Sequence, residues 1–265
     1  MDKNVNLLGK VMTSKFSSIL ITGASSGIGA AVALELAAPN ITLHLTGRNL
    51  ERLNEIKTQC EAKGAKVYFA IVDVIEQEKI ANILKEWDKE NPFDCILANA
   101  GIAGNHIETH NPATRLRAIN AVNVTGVLNT LEPILDNMIQ RKKGNIGLLG
   151  SMASFLPLPP SPAYSASKAA ILTWGDAIRP GLKKKNIHVS VICPGFVRSR
   201  ITDANNYTMP FFMEGDKAAK IIINGLNKNK PRIAFPWIMY AILSFLSVLP
   251  RPLQSFIVTR LPHKE

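Results

Sequence analysis

Tyr164 and Lys168 stand four residues apart in the stretch PLPPSPAYSASKAAIL, Pro157 to Leu172, where a proline-rich loop gives way to a helical pattern. Residues at that interval have neighbouring Cβ atoms on a helix, so an ammonium can hold its charge close to a phenol. An ordinary tyrosine gives up its proton near pH 10, and acting as acid or base near neutrality needs a shift of about three units, roughly 4 kcal/mol. A positive charge at about 4 Å in a medium of effective dielectric about 20 supplies an energy of that order. Taken alone, the pair also reads as an ordinary surface contact. The elements that must position it decide between the two.

From Ser17 to Cys193, apolar strand-like runs alternate with helical patterns. The strands are SSILITG, ITLHLTG, KVYFAIVD, FDCILANAG, GNIGLLGS and IHVSVICPG. Between them lie the helical GIGAAVALELAA, NLERLNEIKTQCEAKG and EQEKIANILKEWDKE, a long stretch over Thr114 to Arg141, and the Tyr–Lys helix. Continuously apolar strands, each followed by a helix, predict a parallel sheet covered on both faces. The expected fold is α/β, a doubly wound parallel sheet of Rossmann type with helices on both faces and an apolar helical extension at the C-terminus. Such sheets bind ligands beyond the carboxyl ends of their strands.

The strand ends carry the matching residues. The first turn is Thr22-Gly23-Ala24-Ser25-Ser26-Gly27-Ile28-Gly29; glycine admits a close-lying ligand, and the helix starting near Ile28 turns its positive end to a diphosphate. The second strand ends Thr46-Gly47-Arg48, with Arg48 nineteen residues past Gly29 and no acidic residue between Thr46 and Arg48. An acid there would suit a ribose 2′-hydroxyl, an arginine a 2′-phosphate, so NADP(H) is expected over NAD(H); an exposed arginine leading the next helix is the alternative. Asp73, followed by Val74, could accept from an adenine amino group. Ala98-Asn99-Ala100-Gly101 is a small-residue turn that leaves room for the cofactor.

Bulk properties set limits. The 265 residues carry 31 Lys and Arg against 20 Asp and Glu, a net charge of +11, with 46% hydrophobic and 19% charged residues and no repeat. The positive balance favours anionic partners, namely nucleic acid, an anionic membrane surface or a phosphorylated cofactor. No nucleic-acid module accompanies it, and the basic run Lys183-Lys184-Lys185 reads as a solvated helix end, so no nucleic-acid partner is expected. Cys60, Cys95 and Cys193 are odd in number and far apart, suggesting neither a disulfide framework nor a zinc site, and His106 and His110 read as loop residues. The opening MDKNVNLLGKVMTSKF lacks a signal peptide's apolar core, which leads to the expectation of a cytoplasmic protein.

These residues resemble the short-chain dehydrogenase/reductase family. The motif T-G-x-x-x-G-x-G, then N-A-G at Asn99 to Gly101, Asn123 in AVNVTGV, Ser151, Y-x-x-x-K at Tyr164 to Lys168 and Pro194-Gly195 occur in the family's order, with thirteen residues from Ser151 to Tyr164. The match covers roughly residues 17 to 199. Ala98 and Gly150 stand where the family often has asparagine and serine, and Ser26 stands where many NADP-preferring relatives have a basic residue. The resemblance implies that Tyr164 is the acid/base, Ser151 orients the substrate carbonyl, and Lys168 lowers the tyrosine pKa and holds the nicotinamide ribose. It further implies that Asn123 anchors a water in the proton relay, and that Val197 and Ser199, after Pro194-Gly195, contact the carboxamide. A homo-oligomer, dimer or tetramer, is implied too.

Three units follow: an N-terminal tail over 1–16; a dinucleotide-binding catalytic domain over 17–230, with a substrate lid at about 198–215; and an apolar extension over 231–265. The lid's Tyr207, Met209, Phe211, Phe212 and Met213, with FLPLPPSP after Ser151, suit a small lipophilic carbonyl or alcohol substrate; packing of these aromatics against the core is the alternative. The extension has no charge from Ile233 to Pro250. A helix from Trp237 to Leu249 would span about 20 Å, too short for a hydrocarbon core of about 30 Å. Residues 232–261 therefore read either as a peripheral contact with the cytoplasmic face of a membrane or as a buried or subunit-contact helix. The functions weighed are an NADP(H)-dependent carbonyl reductase or alcohol dehydrogenase, a 3-oxoacyl-thioester reductase, and a catalytically idle dinucleotide sensor or membrane scaffold.

Overall fold

The computed structural model describes residues 14–104, 107, 109–199, 202 and 209–260; His106 and Tyr207 lie outside them. Seven strands, β1 Ser18–Thr22, β2 Thr42–Gly47, β3 Lys66–Ile71, β4 Cys95–Ala98, β5 Gly144–Leu149, β6 Ile187–Pro194 and β7 Arg232–Phe235, form one sheet. All pairs are parallel, in the order β3-β2-β1-β4-β5-β6-β7. The order reverses between β1 and β4, and that is where a doubly wound sheet opens a crevice.

Side chains alternate across the sheet as the strand period requires. Ile19 and Ile21 of β1 point to one face, where α1 (Gly27–Leu36), α2 (Leu50–Ala62) and α7 (Gly215–Asn227) bury Val32, Leu53 and Ile222. Leu20 points to the other, covered by α3 (Gln77–Glu90), α5 (Gly126–Arg141) and α6 (Pro162–Lys183) through Leu84, Ile134 and Ile171. Asp88 of α3, 2% exposed, is paired with both guanidinium nitrogens of Arg141 on α5 at 2.8 and 2.9 Å. Removing Arg141, whose side chain is partly exposed, would leave the buried Asp88 carboxylate with only Phe93 N and Asn137 Nδ2 as donors, a cost of about 1–3 kcal/mol.

Three local features depart from the sequence reading. The helical stretch from Thr114 to Arg141 is α4 (Pro112–Asn120) joined to α5 through a π-helical turn, Ala121–Thr125. Gly126 sits so close to the third strand's exit that a Cβ there would lie 2.4 Å from Val74 Cγ2. The sheet continues past residue 230, because RIAF forms β7. This four-residue strand lies between two prolines at the head of an uncharged run, so its period was masked by the helix that follows. It is tied down by Arg179, which donates to Pro231 O at 2.9 Å and Val189 O at 3.0 Å, and by the Arg232–Asp176 ion pair. Finally, Phe16, the last residue of the stretch read as a polar tail, is buried in the core. After β7 come α8 (Trp237–Ser247) and α9 (Arg251–Val258).

Candidate active site

A cleft of about 590 Å³ opens at the carboxyl ends of β1, β2 and β4. Its floor is the turn after β1. Gly23 has φ +67°, where a side chain would be strained, and a Cβ there would meet Ala100 Cα at 2.8 Å. Thr22 and Asn99 clamp the turn to β4: Thr22 Oγ1 accepts from Asn99 N at 3.1 Å and Ala100 N at 3.2 Å, and Asn99 Nδ2 donates to Thr22 O at 2.9 Å. Gly29 is a packing residue rather than a lining one, since a Cβ would lie 2.5 Å from Asn99 Nδ2. Ser26 starts α1 with no side-chain cap, and the first turn carries no acid, so the helix's positive end faces the cleft uncompensated.

Ser25, Ser26, Gly27 and Ile28 line this wall, and Ser199 closes over it: a Cβ on Gly27 would be 3.0 Å from Ser199 Cβ. Asp73, Val74, Asn99, Ala100 and Gly101 form the middle. Arg48 reaches the rim, 59% exposed, with Nη1 3.2 Å from Asp73 Oδ2. In the first turn of α2, Arg52 also lines the cleft, and its Nε is buried with no hydrogen-bond partner among the described residues. Arg52 escaped the sequence reading, although a signal was available: it is a second arginine in the first turn of the helix that leaves the second strand's exit. Ile102, Ala103, Val122 and Leu149 line the cleft as well, with apolar side chains that no motif marks.

The far wall carries Tyr164 and Lys168. Tyr164 lies in the first turn of α6. Lys168 is 3% exposed, its Nζ donates to Leu149 O at 2.8 Å, and it sits 5.7 Å from the centroid of the Tyr164 ring. Burial, opposed slightly by Cys193, pushes the Lys168 ammonium down to about 8. Gly101 approaches it closely, a Cβ there being 3.3 Å from Lys168 Nζ.

Asn123 and Ser151 stand behind the lining. Asn123, fully buried in the π-turn, accepts from Ile102 N at 2.8 Å and donates to Ile102 O at 3.0 Å and Ser167 Oγ at 2.9 Å. Ser167 Oγ in turn donates to Tyr164 O at 2.8 Å, so Asn123 links the loop after β4 to the backbone that carries the phenol. Ser151 Oγ accepts from Ala153 N at 3.1 Å, which leaves its own proton for another acceptor. Pro194, Gly195 and Val197 are not in the lining. Gly195 N donates to Phe235 O at 2.8 Å, and Val197 is buried in a bridge with Met213. These residues steer the chain back over the cleft, delivering Ser199.

The thiols lie outside this chemistry: burial raises Cys60 and Cys193 to about 11 and Cys95 to about 12. No cluster of metal-ligating side chains occurs among the described residues.

A parallel sheet with a glycine-floored cleft and a Tyr–Lys pair on its wall defines a dinucleotide-dependent oxidoreductase. The family model for short chain dehydrogenases matches residues 17–210, and the chain belongs to that family as an NAD(P)-dependent enzyme. An uncharacterized oxidoreductase of Myxococcus xanthus is 34% identical over 93% of this chain and 98% of its own length. Among solved structures, a short-chain dehydrogenase from Sphingobium yanoikuyae in complex with NADPH superposes with a TM-score of 0.77 at 22% identity, covering 94% of this chain and 97% of that one. The bulky-bulky ketone specific alcohol dehydrogenase from Comamonas testosteroni gives 0.74 at 23% identity, covering 89% and 95%.

Proposed function

We propose that the protein interconverts a carbonyl and a secondary alcohol on a small lipophilic substrate, with NADP(H) as its cofactor and Tyr164 as the acid/base. The reading is carried by the presence of Tyr164, Lys168, the glycine turn and two arginines in a single cleft.

The residues fit a nicotinamide dinucleotide: the turn admits close backbone approach, the uncapped end of α1 suits a diphosphate, and the unpartnered Arg52 Nε with the rim guanidinium of Arg48 suits a 2′-phosphate. When bound, that group gives or takes the hydride. Lys168 serves the reaction in two ways, holding a buried cation beside the phenol and keeping a donor at the cleft wall. In the reducing direction the Ser151 hydroxyl would hydrogen-bond the carbonyl oxygen and keep its proton, and Tyr164 Oη would deliver the one proton that makes the alcohol. Both side-chain amide protons of Asn123 are engaged, so a water in the relay would have to donate to one of its carbonyl oxygens. The exposed Phe211 and Phe212 beside the cleft-closing segment suit an apolar substrate, as does the ketone chemistry named for the Comamonas relative in fold. Three buried thiols suit a reducing cytoplasm.

A panel of lipophilic ketones and alcohols, followed by nicotinamide absorbance with NADPH and NADH, tests the reading. Turnover on ketones with NADPH supports it; turnover on acetoacetyl thioesters alone moves it to 3-oxoacyl-thioester reduction. Cofactor binding with no turnover on either would leave a dinucleotide sensor.

A further inference from the structure

We propose that the outward face of α8 and α9 docks on an anionic lipid surface. Along α8, Trp237, Ile238, Ile242, Phe245 and Val248 face solvent, Trp237 being 73% and Val248 78% exposed, and no residue of the helix is fully buried. Leu253 and Phe256 extend the exposed apolar face onto α9. Of thirteen large apolar side chains exposed among the described residues, seven lie between 237 and 256. A surface helix ordinarily turns its polar face to water, whereas α8, WIMYAILSFLS, is apolar all round and turns large apolar side chains outward.

Charge identifies the occupant. From Lys217 to Lys264 the chain has eight Lys and Arg and no Asp or Glu, although acids number 20 in the whole. A second copy of this patch would bring Arg251 and Arg260 against like charge, whereas an anionic bilayer attracts both. Arg251 is exposed at the start of α9, and Arg260 lies over the Phe256 ring at 3.4 Å, so cations rim the apolar face. An exposed indole beside them matches the level of lipid headgroups. At eleven residues, α8 is about 17 Å long, and no helix among the described residues is long and apolar enough to cross a membrane. The pair therefore lies along the surface.

The pair is held as one body. Gln254 Nε2 donates to Ser247 O at 3.0 Å and Leu249 O at 2.8 Å, while Gln254 Oε1 accepts from Arg251 Nη1 at 3.0 Å. Tyr240 meets the Phe155 ring edge-on at 5.3 Å, and Met239 lies against Gly195. Docking would thus set the loop after Ser151 next to the bilayer, a route for a lipophilic substrate; only that consequence rests on the reductase reading.

The test is co-sedimentation of the full chain with vesicles of phosphatidylcholine alone or with about a third phosphatidylglycerol. The expected result is pelleting with the anionic vesicles, falling as salt rises, and a blue shift of tryptophan emission that Trp237→Phe abolishes. Phe245→Glu with Val248→Glu changes only exposed side chains, so folding, checked by circular dichroism, is kept; partitioning should fall roughly tenfold or more. Absence of wild-type pelleting, or pelleting that the double variant leaves unchanged, overturns the proposal. So does an oligomer that the double variant dissociates while lipid binding is absent, which would make this face a subunit contact. Turnover of a soluble ketone without vesicles reports separately on the reductase reading.

Discussion

In the cleft, Lys168 is an ammonium withdrawn from water; on the C-terminal helices, Trp237 is an indole placed in it. Each is the reverse of what solvent prefers, and the two are stabilised differently. Lys168 has a carbonyl partner within the chain and lies in the packed first turns of a 22-residue helix. Trp237 has no such compensation on its outward side, at 73% exposure. An inversion that the fold compensates internally marks chemistry inside the molecule. One that the fold leaves open marks a contact with something outside it.

The strongest way to break this comparison is at Tyr164. Tyr164→Phe removes the proton donor but not the ring, so kcat should fall by about 10²–10⁴ while the Kd for cofactor stays within about twofold, read by stopped-flow and by nucleotide fluorescence. Full turnover in that variant would return the pair to an ordinary helix contact.

Lys168→Met tests the cost of the buried cation. The folded-state value near 8 lies below the unfolded one of 10.5, so the penalty is fully present below pH 8 and vanishes as pH rises towards 10.5. Urea unfolding should show the wild type gaining about 3 kcal/mol on the Met variant between pH 7 and pH 10.5. A gap that does not move with pH would mean the ammonium is not desolvated.

Arg52→Ala sharpens the account of the cleft's other wall. It should raise the KM for NADPH roughly tenfold and leave that for NADH unchanged, the size expected for one charged hydrogen bond. Equal effects on both cofactors would assign Arg52 to packing alone. The smallest effect belongs to the C-terminal helices: Phe245→Glu should change unfolding free energy by about 0.5 kcal/mol or less and leave turnover of a soluble ketone intact. A large loss of stability would show that the helix face is covered in the folded chain.

Much of the cleft is legible in the amino-acid sequence alone, for a physical reason. Strands buried on both faces must be continuously apolar, and the segments at their carboxyl ends line the cleft. Hence six strands and Gly23, Ser25, Arg48, Asp73, Asn99, Tyr164 and Lys168 could be read in order along the chain. Local chemistry at fixed spacing is what a sequence holds by itself.

Tertiary structure alone decided what depends on approach between distant segments. RIAF became β7 because β6 offered a free edge and Arg179, Asp176 and Arg232 held it there. Pro194, Gly195 and Val197 turned out to route the chain, while Ser199 reaches the cleft because that route returns it to Gly27. Arg52 acquired its place because α2 docks with that face towards the crevice. Residue types and intervals specify which groups are available. Burial and pairing across the fold specify which of them meet.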